Sequence, residues 1–104
     1  KRVSKAAALA HPQISACRAA LAAVQRDEAA EPFLDPVDWR GLGLPLYPQI
    51  ISRPMDLGTI EKKLLSGRYS EVSEFKADVE LVWQNAQTFN TDESWIYLAA
   101  GKLP

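Results

Sequence analysis

Between Glu31 and Asp56 the chain carries Pro32, Pro36, Pro45, Pro48 and Pro54 together with Gly41 and Gly43. Each proline fixes φ and lacks a backbone N–H, so no long helix or strand fits this spacing. The same stretch nevertheless holds Phe33, Leu34, Val37, Trp39, Leu42, Leu44, Leu46, Tyr47, Ile50 and Ile51. That is far more apolar surface than a solvated linker exposes. Long loops inside small domains are uncommon and are usually functional or disordered. The apolar content points to an ordered, functional loop folded against rigid neighbours.

Those neighbours read as helices. From Pro12 to about Ala30 the sequence is Ala-rich, with Ile14, Cys17, Leu21 and Val24 spaced three and four apart on one stripe. Residues 1–11 are set apart as an N-terminal extension that is frayed or separately helical, leaving 12–104 as the domain. Downstream of the loop, Asp56 is a good N-cap for a second helix carrying Leu57, Ile60 and Leu64, which Gly67 stops in a left-handed conformation. Ser70 is the expected cap of a third helix, with Glu71 and Glu74 near its positive end and Val72, Phe75, Val79, Val82, Ala86 and Phe89 along its stripe. Residues 90–94 have turn chemistry, and Ile96, Leu98, Ala99 and Ala100 suggest a fourth helix. The fold class is all-α: a four-helix bundle with one long loop between helices one and two.

Composition narrows function. At 104 residues the chain suits a single domain. Its 12 basic and 13 acidic residues leave a net charge of −1, without the positive field that drives phosphate-backbone binding, so no direct nucleic-acid ligand is expected. No apolar run approaches the roughly 18–20 residues that span a bilayer, and no membrane partner is expected. The lone cysteine, Cys17, has no intrachain partner, which fits a reducing, intracellular compartment. Catalysis is not expected either. The single histidine, His11, stands outside the motif region, Cys17 falls on an apolar stripe, and neither a metal-ligand cluster nor a phosphate-cradling glycine loop is present. No cofactor or metal is called for.

The third helix ends in an informative way. Its core-facing rows step from Val82 through Ala86 to Asn90, placing a carboxamide where the apolar stripe would continue. An asparagine there is also an ordinary helix stop, and the apolar loop residues are also ordinary core. If the two converge, a pocket with apolar walls, one carboxamide and one phenol suits a neutral amide ligand. The amide NH2 donates to a carbonyl, and the walls reject a charged ammonium through its desolvation cost.

The segment Arg53-Pro54-Met55-Asp56-Leu57-Gly58-Thr59-Ile60 resembles the signature of the bromodomain family, readers of acetyl-lysine. Upstream, Pro32-Phe33, Pro36-Val37, Leu42, Leu44-Pro45 and Tyr47 are similar in order and spacing to that family's first interhelical loop, and Phe89-Asn90 to the aromatic-asparagine pair opening its last one. The resemblance covers roughly 12–104 and implies a left-handed four-helix bundle. By that resemblance Asn90 donates to the acetyl carbonyl and Tyr47 reaches it through an ordered water. Phe33 and Val37, beside Pro32, contact the acetyl group, Leu42 and Leu44 flank the acyl-lysine stem, Phe89 borders the pocket, and Ile96 narrows the mouth or packs as core.

Two positions depart from the family pattern. Glu31 stands where tryptophan is common, with Trp39 and Trp95 as possible substitutes, and Phe89 stands where tyrosine is common. Glu31, Asp35, Asp38, Asp92 and Glu93 fall in the two loops framing the mouth, either as solvated loop residues or as charges steering a basic tail. The implied function is non-catalytic recognition of acetylated lysine on histone or other protein peptides, by a monomeric nuclear domain. The alternative is a bromodomain-like scaffold whose acetyl-lysine binding is lost or altered.

Overall fold

The computed structural model describes residues 9–90 and 95–102, with side chains of the last stretch described at 98–101. In chain order these form α1 (His11–Gln25), a 3-10 helix (Glu28–Phe33), α2 (Tyr47–Ile50), α3 (Leu57–Leu65), α4 (Val72–Phe89) and α5 (Trp95–Lys102). No strand occurs among the described residues, as expected for an all-α chain. The four longer helices pack together: α1 lies on α3 and α4, α3 on α4, and α4 on α5. The single turn of α2 sits inside the long loop.

Helix α1 begins one residue before the expected Pro12, with the Gln13 side chain accepting the Ala10 N–H at 3.1 Å. It buries Cys17 and Leu21. It also ends five residues before the expected Ala30. Propensity alone favours continuing through this Ala- and Glu-rich run. Instead, Asp27 accepts the Ala29 N–H at 2.9 Å and starts the 3-10 helix, whose Ala30 is wholly buried. A side-chain cap and tertiary burial override propensity here. Upstream, Leu9 is buried and its N–H donates to the Tyr69 carbonyl at 3.1 Å, so the stretch assigned to the extension is packed at that residue. Residues 1–8 lie outside the described residues.

Helix α3 follows its expected pattern. Asp56 accepts from the Thr59 N–H at 2.9 Å and from the Thr59 hydroxyl at 2.6 Å. Leu57, Ile60 and Leu64 form the centre of the core, each stabilising by roughly 1.5–3 kcal/mol relative to an exposed side chain. Gly67, at φ 74°, turns the chain out of the helix. Helix α4 is capped differently from expectation. Ser70 does not accept from the helix; Glu74 reaches back instead, taking the Ser70 N–H at 2.7 Å, the Ser70 hydroxyl at 2.9 Å and the Glu71 N–H at 3.2 Å. A carboxylate has more acceptor capacity than a hydroxyl and is favoured at a helix N-terminus.

Near its N-terminus α4 also buries Asp78, whose carboxylate accepts from Lys63 Nζ and from the Tyr69 hydroxyl, both at 2.6 Å. Burial, and then the hydrogen bond to Asp78, pushes the Tyr69 phenol well above its ordinary range. This polar cluster joins α3, the following turn and α4 at the end of the bundle opposite Asn90.

Candidate functional site

The long loop is fastened to the bundle by backbone. The Gly58 N–H donates to the Leu34 carbonyl at 3.0 Å, and a Cβ on Gly58 would lie only 2.8 Å from that oxygen. Glycine permits this close approach. Farther along, Asn85 of α4 donates from Nδ2 to the Arg53 carbonyl at 2.8 Å, tying the end of the loop to the helix. Within the loop, Asp38 accepts the Gly41 N–H at 3.1 Å, and the Leu44 N–H donates to the Trp39 carbonyl at 2.7 Å. The loop is therefore an ordered structure with its own hydrogen bonds.

Between this loop and the C-terminal end of α4 lies a cavity of about 370 Å³. Pro32, Phe33, Val37, Leu42, Leu44, Tyr47, Phe89 and Asn90 all line it. These are eight of the nine residues expected at a ligand site; the ninth, Ile96, belongs to α5 but its side chain lies outside the described residues. Ring contacts set the walls. Phe33 meets Trp83 edge to face at 5.2 Å, and Tyr47 meets Phe89 likewise at 4.9 Å. Leu42 is 65% exposed and forms a lip rather than a wall.

The lining also includes Met55, Val82, Asn85 and Ala86, which were not singled out from sequence as site residues. Val82 and Ala86 share the stripe that leads to Asn90, so that stripe, followed one turn further back, identifies them. Met55 and Asn85 carry no comparable periodic signal.

Asn90 is both the end of α4 and part of the pocket. It leaves the helix in an extended conformation, and its backbone N–H and its Nδ2 both donate to the Ala86 carbonyl, at 3.0 and 2.8 Å. A carbonyl only accepts, so this bond fixes which end of the carboxamide carries the NH2. One N–H is used on Ala86. The second N–H and Oδ1 have no partner among the described residues. Nor does the Tyr47 hydroxyl, although Tyr47 is only 7% exposed. Burial pushes its pKa up, so at neutral pH it stays a neutral donor and acceptor. Both residues line the cavity with hydrogen-bonding capacity that the described residues do not use.

Around the apolar walls stand Glu31, Asp35 and Asp38, which also line the cavity. Trp39 does not stand in at the cavity for the tryptophan expected at Glu31: it is half-buried outside the cavity lining, with the Arg40 guanidinium 4.7 Å from its ring centroid. The Trp95 side chain, Asp92 and Glu93 lie outside the described residues. His11 opens α1 and the Cys17 thiol is buried, its pKa raised by burial against the opposing charge of Lys76. Neither lines the cavity. Among the described residues no group of three or more His, Cys, Asp or Glu is placed to hold a metal, and no helix is long and apolar enough to cross a membrane.

Comparison with known proteins gives one consistent answer. The bromodomain family model matches residues 17–102. Transcription factor GTE1 of Arabidopsis thaliana is 51% identical over 74 residues, covering 71% of this chain and 19% of that protein. Bromodomain adjacent to zinc finger domain protein 2A of Xenopus laevis is 45% identical over 83 residues, 80% of this chain and 5% of that protein. The SWR1 complex bromodomain subunit bdf1 of Schizosaccharomyces pombe is 43% identical over 83 residues, 80% and 14% respectively. The chain thus spans less than a fifth of the length of these relatives.

Proposed function

The chain belongs to the bromodomain family, and from that premise we propose that it is a non-catalytic, chromatin-associated reader of acetylated lysine. The observation that carries this reading is the pairing, in one apolar cavity, of an Asn90 N–H and a buried tyrosine's hydroxyl, that of Tyr47, neither of which has a further partner among the described residues. Acetyl-lysine ends in a neutral amide whose carbonyl needs a donor. Asn90 offers it directly, and Tyr47 does so through a bridging water, a link nearly as good enthalpically as a direct bond.

The walls reinforce the choice. Phe33 and Val37, beside Pro32, face the acetyl group, Leu44 and the Leu42 lip flank the methylene stem, and Phe89 closes the side next to Asn90. An unmodified ammonium in the same place would lose its hydration without a compensating charge at the cavity's end. The partners are acetylated peptides, histone tails among them, and the place of action is the nucleus, in keeping with relatives named as transcription factors and as a subunit of the SWR1 complex. The domain acts as a monomer.

Titration with matched acetylated and unmodified histone-tail peptides tests this. The acetylated form binds preferentially, and Asn90→Ala removes the preference. One hydrogen bond contributes about 0.5–1.5 kcal/mol net, so the loss is roughly two- to ten-fold. Equal affinity of the unaltered domain for both peptides would sink the reading.

A further inference from the structure

Three carboxylates, Glu31, Asp35 and Asp38, line the cavity, and no cationic side chain does so among the described residues. Among the described residues Glu31 and Asp35 have no side-chain hydrogen bond or ion pair, while Asp38 is held by the Gly41 N–H. The nearby cation Arg40 is engaged on the Trp39 ring. The ion pair present among the described residues, Lys63 with Asp78, belongs to the opposite end of the bundle. Among the described residues the rim is therefore negative and uncompensated. It borders the same cavity as Tyr47, a buried residue whose hydroxyl has no partner among the described residues.

We propose that this rim makes the domain selective for an acetyl-lysine flanked by an unmodified lysine or arginine, so that acetylating the neighbouring lysine weakens binding. The proposal rests on acetyl-lysine being the ligand of the cavity. The apolar end, with Asn90, accepts a neutral amide. The rim offers acceptors only, which suit an ammonium or guanidinium and leave a second acetyl carbonyl without a donor. Neutralising the neighbour removes that charge attraction.

The experiment is a calorimetric titration of four synthetic peptides of one basic sequence: unmodified, acetylated at a central lysine, acetylated there and at the neighbouring lysines, and acetylated centrally with glutamines as neighbours. The centrally acetylated peptide with free lysine neighbours binds tightest. Losing the neighbouring charges, by acetylation or by glutamine, weakens it about two- to five-fold, the range of exposed charge pairs, and less so as salt is added. In Glu31→Gln/Asp35→Asn, two exposed and near-isosteric changes that leave Asp38, the gap between the singly acetylated peptides narrows while both still exceed the unmodified one. Acetyl-dependent binding indifferent to neighbouring charge, or a charge preference undiminished in the double variant, overturns the rim's role and leaves the acetyl-lysine reading intact. Equal binding of all four peptides overturns both.

Discussion

At the scale of single residues the pocket separates binding from stability. Tyr47 is buried, and its hydroxyl has no partner among the described residues. Tyr47→Phe removes a hydroxyl at the cavity without breaking a hydrogen bond among the described residues, so stability changes by less than about 1 kcal/mol. Affinity for an acetylated peptide falls, by less than in Asn90→Ala, because only a water-mediated link is lost. Urea unfolding alongside peptide titration checks both; a Tyr47→Phe destabilised by more than that would mean the hydroxyl has a partner in the protein. Asn90 was legible in sequence as the end of a stripe, but its two bonds to Ala86 were not. Position alone leaves a helix stop and a ligand donor as rival readings. The structure makes it a stop with one N–H to spare.

At the scale of elements, what the sequence revealed depended on whether the signal was local. Helix α3 was readable because Asp56, its apolar spacing and Gly67 all lie within the segment. The end of α1 was not, since Ala30 is drawn out of helical continuation by burial against distant residues. The cap of α4 was misread because Ser70 and Glu74 compete for one role and the carboxylate wins. Hydrogen bonds from the Ser70 N–H, the Ser70 hydroxyl and the Glu71 N–H, in that order, hold the Glu74 carboxyl below its ordinary value of 4.5. A lowered folded-state pKa means that its contribution is complete above 4.5 and is lost as pH falls through the lower folded value. Glu74→Gln therefore lowers Tm at neutral pH, and the gap from the unaltered protein narrows as the solution is acidified below 4.5. At the joint of loop and helix, Gly58→Ala forces the Leu34 carbonyl to move. Overpacking of this kind costs about 1–3 kcal/mol, and because the loop carries Phe33 and Val37, peptide affinity falls with stability. Thermal melts and titration of that variant measure the two together.

At the scale of the whole molecule, the two ends do different work. Asp78 and Asn90 lie on the same helix 12 residues apart, roughly 18 Å at the α-helical rise. Asp78→Ala leaves the buried Tyr69 hydroxyl without its acceptor and Lys63 without its counter-ion, costing about 1–3 kcal/mol. Sites this far apart are usually energetically independent, so the Kd for an acetylated peptide changes by less than about two-fold at a temperature where the variant is folded. A parallel loss of affinity would show instead that the polar end props the pocket open. At the other end, Ala86 already grips the Asn90 carboxamide, so an arriving ligand freezes no rotamer there. Capture is then one step: its observed rate climbs linearly with peptide concentration, and related peptides differ in how long they stay more than in how fast they arrive.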